Sequence, residues 1–309
     1  MNKLKLITVK ILFIFANFLN KVLSKTLKLS KNYVDANKKM EFINKTANEL
    51  GYEDRLIFLK HKLDKKTPSF ELHNLVINQM YGDTEGLIEA SISQNLLQRL
   101  FKLKEEVGNM SPTQALEEEI SANTLNGKNL EPDFFISEIR PETAERESKN
   151  IIVHPMHKLD HSNEIVKDLH QELRSIFSKH IKSPFIIVNT RLWSTKPQSE
   201  NFGGNTMHYD NGFEPGHMKI MVYLTPFDYE HGYFKYEKNV INNKKAGYCI
   251  LFKNRDILHS GVPGTKFSRV SLEVTIMRSL VDKEQFNINS YWGRHLKSPI
   301  AAYKNSNLQ

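Results

Sequence analysis

PFIIVNTRLW (184–193), MKIMVYLTPF (218–227), GYFKYEK (232–238), YCILFK (248–253) and RVSLEVTIM (269–277) share one texture. They are short runs rich in β-branched and aromatic residues, and turn formers separate them. That pattern predicts strands joined by turns. Upstream the texture differs. Ile165, Val166, Leu169, Leu173, Ile176 and Phe177 recur at three- and four-residue spacing and predict a helix over 162–181. Ser111-Pro112 opens another, with proline at its first turn and Glu117 to Glu119 near its start. Similar stripes run through Phe42, Ile43 and Ala47, through Leu56, Ile57, Leu59 and Leu63, and through Leu87, Ile88, Ile92, Leu96, Leu97 and Leu100. Helices first and strands afterwards predict an α+β chain with a β-sandwich or barrel core and helices against one face.

Charge narrows the function classes. The formal net charge is +8, yet residues 1–34 hold seven lysines and no acid, so the remainder carries 8 − 7 = +1. A nearly neutral body lacks the clustered cations that phosphate binding needs, which argues against a nucleic-acid partner. One cysteine, Cys249, excludes an intramolecular disulfide framework and suits a cytoplasmic location.

Within residues 1–34 the apolar run Ile11 to Leu19 is interrupted by Asn17 and bracketed by Lys10 and Lys21. It is shorter than the roughly 20 residues a bilayer span requires. Three readings stay open: a basic amphipathic helix lying on a membrane surface, an uncleaved signal, and a helix packed on the domain. The expected organisation is a basic amphipathic segment at 1–34, a mainly helical region at 35–160, a strand-rich core at 161–285 and a C-terminal tail at 286–309.

The chemistry concentrates between residues 208 and 271. His208 and Asp210 stand two residues apart, and on extended backbone such residues point to one face. His259 follows 49 residues after Asp210, at the end of the apolar run YCILF and before Ser260-Gly261. Two imidazoles and one carboxylate make the facial triad of non-haem Fe(II) oxygenases, with open positions for cosubstrate and oxygen. An isolated H-x-D means little in a chain with 12 histidines. The discriminating feature lies ten residues beyond His259, where Arg269 and Ser271 share a strand face. A guanidinium beside a hydroxyl suits one end of a dicarboxylate. His217 precedes a strand and reads as a loop residue outside the triad. His154, His157 and His161 lack the partner carboxylate or cysteines of a zinc site.

His208-x-Asp210, His259 and Arg269-x-Ser271 together resemble the signature of the Fe(II)/2-oxoglutarate-dependent dioxygenase superfamily. Met221 to Thr225 resembles the strand after H-x-D in its prolyl-hydroxylase-like and phytanoyl-CoA-dioxygenase-like branches. The resemblance covers about residues 184–280. It implies a double-stranded β-helix (jelly roll) core buttressed by N-terminal helices. It also implies iron on His208, Asp210 and His259, and 2-oxoglutarate as cosubstrate. The far carboxylate of 2-oxoglutarate would be held by Arg269, Ser271 and Tyr223. Asp210 sets the chain apart from the halogenase variant, in which a small residue vacates that position. The implied reaction is hydroxylation of a small molecule or a side chain. Two other classes stay open: a cupin-like metal enzyme that is not an oxygenase, and a non-catalytic jelly-roll interaction module.

Overall fold

The computed structural model describes residues 77–78, 81–84, 86–125, 134–136, 141–159, 163–200, 202–210, 216–278 and 293–296. The expected basic segment 1–34, the helical stripes at 42–63 and the tail apart from 293–296 lie outside them. The chain divides into two compact units, 1–82 with 298–300, and 83–297 with 301–309. The second unit holds the features below. Among the described residues no helix is long and apolar enough to cross a membrane.

The second unit contains strands β1 (Leu87–Ser91), β2 (Phe134–Ile136), β3 (Ile151–His154), β4 (Phe185–Thr195), β5 (His217–Tyr223), β6 (Gly232–Tyr236), β7 (Asn239–Ile241), β8 (Tyr248–Phe252), β9 (His259–Pro263), β10 (Arg269–Arg278) and β11 (Gly293–Leu296). Its helices are α1 (Gln94–Val107), α2 (Pro112–Leu125), α3 (Pro141–Ser148) and α4 (Glu164–Ile181).

The helices begin where local chemistry satisfies their first amides. Asn163 Oδ1 accepts from the Ile165 and Val166 amides at the start of α4. Ser111 and Gln114 form a reciprocal pair at α2, each side chain accepting from the other's amide. Leu87 and Ile88, which the spacing assigned to a helix, lie instead on β1. Ser93 is the reason: its side chain accepts from the Leu96 amide and starts α1 only after Ile92. The stripe Leu96, Leu97, Leu100 is thus helical, and Leu87 and Ile88 pair with β8.

Two antiparallel sheets make the core. The larger runs β1-β8-β5-β10-β4-β3 and the smaller β7-β6-β9; β2 and β11 form a separate pair. Thus the larger sheet also recruits strands from outside residues 161–285. Its outer face packs on α1 and α4 through Leu100, Leu169, Leu173 and Phe177 against Ile187, Ile220, Val222, Cys249, Leu251, Leu272 and Val274. Its inner face meets the smaller sheet through Met221, Tyr223, Ile250 and Phe252 against Phe234 and Ile241. Antiparallel sheets stacked face to face, with successive strands crossing between them, define a jelly roll. Helices cover the larger sheet, as the order of textures along the sequence predicts.

Alternation along the strands decides what each face receives. On β10, Val270, Leu272 and Val274 point to the helices, and Arg269, Ser271 and Glu273 point inward. On β5, Ile220 and Val222 point outward, and Lys219, Met221 and Tyr223 inward. Register then sets Ser271 between Tyr223 of β5 and Trp193 of β4, and Glu273 between Met221 and Arg191.

Candidate metal and anion site

His208 reaches the site by backbone pairing. It forms a single antiparallel bridge with His259, each amide donating to the other's carbonyl at 2.9 and 3.0 Å. This adds one residue to the edge of the smaller sheet beside β9 and brings the two imidazoles to 4.4 Å between centroids. Asp210 belongs to no strand. Its amide donates to the Asn254 carbonyl, which turns the carboxylate toward the histidines.

Ligand atoms of His208, Asp210 and His259 all lie within 4.8 Å of one another. His208 Nε2 is 3.3 Å from Asp210 Oδ1, and His259 Nε2 is 3.7 Å from Asp210 Oδ2. Each histidine ties back its other nitrogen. His208 Nδ1 donates to the Thr206 carbonyl and His259 Nδ1 to the Ile257 carbonyl, at 2.7 and 2.8 Å. With the proton on Nδ1, each Nε2 presents its lone pair, the tautomer a metal needs.

Electrostatics differ between the two histidines. Burial pushes His259 down to about 4, against the pull of Asp210, so its ring is neutral at physiological pH. Burial, the largest single effect, works to lower His208, but the hydrogen bonds with Asp210 and the Thr206 carbonyl and the Asp210 charge together outweigh it, so the pKa is raised. Burial alone would raise Asp210; the Lys219 charge and the His208 hydrogen bond overturn this and hold it far below the usual carboxylate range. The set of two imidazole nitrogens and one ionised carboxylate is the donor set that suits Fe(II), and these residues fit that ion.

On β10 beyond the triad, Arg269 is fully buried. Its Nη1 donates to the Val262 carbonyl at 2.7 Å and its Nη2 to the Gly261 carbonyl at 3.3 Å. A Cβ at 261 would stand 2.8 Å from Nη2, so glycine there lets the guanidinium keep this position. Nε has no hydrogen-bond partner, nor does the buried Ser271 hydroxyl. Among the described residues no carboxylate lies within ion-pair distance of Arg269. Burial lowers its pKa, and only the Tyr223 phenol opposes that shift. Burial in turn pushes the Tyr223 phenol up, so it stays protonated and able to donate. A buried cation without an anion is costly, and a carboxylate ligand would relieve that cost.

The structure thus brings His208, Asp210 and His259 into one cluster and sets Arg269, Ser271 and Tyr223 side by side on the inner face. His217 opens β5 rather than preceding it, and it is buried and apart from the cluster. His154 is structural: its ring bonds the Gly108 carbonyl and the Ser194 hydroxyl.

Three groups escaped the sequence reading. Lys219 Nζ lies 2.7 Å from Asp210 Oδ2 and 3.3 Å from Glu273 Oε2. Asn254 Nδ2 donates to Asp210 Oδ2 at 3.1 Å. Glu273 in turn accepts from Arg191 at 3.0 Å, whose guanidinium stacks 5.0 Å from the Trp193 ring. The two-residue alternation was a usable signal for Lys219 and Glu273: Glu273 falls on the same strand face as Arg269 and Ser271, and Lys219 on the same face as Met221 and Tyr223. Asn254 carried none.

No protein-family model matches the chain, and no curated protein does. Among solved structures it is similar to SnoK, a non-heme alpha ketoglutarate dependent carbocyclase from nogalamycin biosynthesis. Identity is 14%, coverage is 69% of this chain and 87% of that one, and the TM-score is 0.42. It is also similar to HygX from Streptomyces hygroscopicus, solved with nickel and 2-oxoglutarate bound (11% identity, 67% and 87% coverage, TM-score 0.39). A third is an oxidoreductase of the 2OG-Fe(II) oxygenase family from Burkholderia pseudomallei (13% identity, 68% and 90% coverage, TM-score 0.40). At these identities the functional reading rests on the chain's own residues.

Proposed function

We propose that this chain is an Fe(II)- and 2-oxoglutarate-dependent dioxygenase that hydroxylates a small molecule or a side chain. The supporting observation is Arg269: a fully buried guanidinium with no counter-anion among the described residues, beside an unpartnered Ser271 hydroxyl, on the sheet face that also carries the residues around Asp210. A metal-binding jelly roll with other chemistry has no use for that buried charge, and a non-catalytic module has no use for it or for the oriented histidines.

His208, Asp210 and His259 would hold the iron. When bound, iron with 2-oxoglutarate supplies the oxidising power by coupling oxygen reduction to decarboxylation of the cosubstrate to succinate. The protein's own work is to hold and orient. The two carbonyl acceptors fix the imidazole planes, and Arg269 with Ser271 and Tyr223 takes the far carboxylate.

The test is direct. Anaerobic protein loaded with Mn(II) should bind 2-oxoglutarate in a calorimeter, and iron-loaded protein in air should form succinate slowly even without substrate. Metal binding without either result would leave a metal-binding jelly roll of another kind. For residues 1–34 the proposed role is peripheral contact with an anionic membrane from the cytoplasmic side, each lysine near the surface contributing about 1 kcal/mol. Deleting the segment should abolish co-sedimentation with anionic vesicles and leave succinate formation intact; equal sedimentation of the truncated chain would refute that role.

A further inference from the structure

Asp210 has two oxygens, and the structure treats them unequally. Oδ1 faces His208 Nε2 and takes no other described hydrogen bond. Oδ2 receives Lys219 Nζ at 2.7 Å and Asn254 Nδ2 at 3.1 Å. A carboxylate oxygen offers two lone-pair directions, so these two donors occupy Oδ2. Neither donor arises from the chain's need for a core. Lys219 extends from the inner face of β5, in register with Thr275 on one side and Phe252 on the other, where an apolar residue would pack at lower cost.

The lysine is itself held. Its ammonium lies between Asp210 and Glu273, and Glu273 is anchored from its far side by Arg191. A fixed ammonium is an effective point donor, because its long stem otherwise moves freely. Asn254 is fixed from the backbone, since its carbonyl also receives the Asp210 amide. The same residue thereby places both the main chain and the side chain of the ligand.

We infer that Lys219 and Asn254 are positioning residues that hold Asp210 as a one-oxygen ligand. They occupy Oδ2, so that only Oδ1 is offered to the metal and one more coordination position stays open for cosubstrate or oxygen. Glu273 and Arg191 act one step further out, fixing the ammonium. The inference rests on the proposed metal site. Removing the lysine frees Oδ2 and lets the carboxylate close on the metal with both oxygens. The consequence runs against intuition. Losing a residue of the site would leave metal binding as tight as before, or tighter, because a cation beside the ligand is gone, while the number of open positions falls by one.

Mn(II) alone is the probe. Line broadening of its electron paramagnetic resonance signal in ¹⁷O-enriched water counts the waters on the bound ion, and calorimetry gives its affinity. Lys219→Met keeps the length of the stem and removes the donor. It should bind Mn(II) at least as tightly as the wild type and carry one water fewer. Lys219→Arg restores a charged donor and should restore the water. Asn254→Ala, which spares the lysine, should shift the count partway in the same direction and keeps the test open if Lys219→Met does not fold. An unchanged water count in Lys219→Met and Asn254→Ala would overturn the inference, as would weakened Mn(II) binding in Lys219→Met, the mark of a merely structural lysine. If the wild type itself binds no Mn(II), the metal-site reading falls and this one with it.

Discussion

The two faces of the larger sheet are made by the same strands and have opposite characters. Along β10 the helix-facing residues Val270, Leu272 and Val274 are aliphatic, and the alternate residues Arg269, Ser271 and Glu273 are charged or polar. Both sets are buried. The outer face is held by area: its side chains lose water against α1 and α4, at about 25 cal/mol per Å². The inner face is held by pairing, since every charge there must find a partner or be neutralised. Glu273 and Lys219 have found theirs within the chain. Arg269 has not found a carboxylate among the described residues. One face therefore stabilises the fold, and the other stores unmet binding capacity.

Breaking that division is informative in order of effect. His208→Ala or Asp210→Ala removes one of the three proposed ligands and should abolish metal binding in a Mn(II) titration, with the sheet intact by circular dichroism. His217→Ala should keep metal binding, because His217 is outside the cluster; the reverse pattern would reassign the triad. Arg269→Ala comes next. Leaving a partly desolvated carboxylate unpaired typically costs about 2–5 kcal/mol, or about 30-fold to several thousand-fold in 2-oxoglutarate affinity. Mn(II) affinity should not move. Unchanged 2-oxoglutarate binding in that variant would take the arginine out of the site.

Acidity gives a smaller, signed effect. The raised pKa of His208 means that a proton competes with the metal for Nε2. Metal affinity should therefore fall as pH drops through that raised value, by roughly tenfold per unit, with one proton released per metal bound. His259, at about 4, adds no slope near neutrality. A metal affinity that stays flat as pH falls below the ordinary histidine value of about 6.5 would contradict the assigned hydrogen bond with Asp210. The smallest effect belongs to the outer face. Ile220→Val should lower unfolding free energy by about 0.5–1.5 kcal/mol in urea titrations and leave 2-oxoglutarate affinity untouched. A change in cosubstrate affinity there would show that the faces are not independent.

Much of this was legible in the sequence because it depends on local periodicity. The strand runs from Phe185, His217, Tyr248 and Arg269 announce themselves by β-branched and aromatic content, and the α4 stripe by its 3.6-residue period. The spacing of His208, Asp210, His259, Arg269 and Ser271 is likewise a linear pattern. What stayed hidden depends on register. That Lys219 meets Asp210, or that Glu273 stands across from Arg191, follows from how β5, β10 and β4 align, and no single strand records it. Asn254 is hidden more deeply, in a turn whose partner is 44 residues away. Leu87 and Ile88 were misassigned because a short apolar run fits a helix as well as a strand, and Ser93 decides between them.

Cys249 lies on β8, on the helix side of the sheet, with its thiol fully enclosed. Burial, aided by the Glu172 charge, pushes its pKa up to about 12, so the thiolate that reacts with oxidants is absent. The sheet itself would insulate the chain's one thiol from an oxidant formed at the proposed metal site around His208 and His259. Ageing in air should then be a matter of the metal's oxidation state alone. Fresh ferrous ion with ascorbate should revive a stored preparation, dithiothreitol should add nothing as a thiol reductant, and the protein should never cross-link to itself through sulfur.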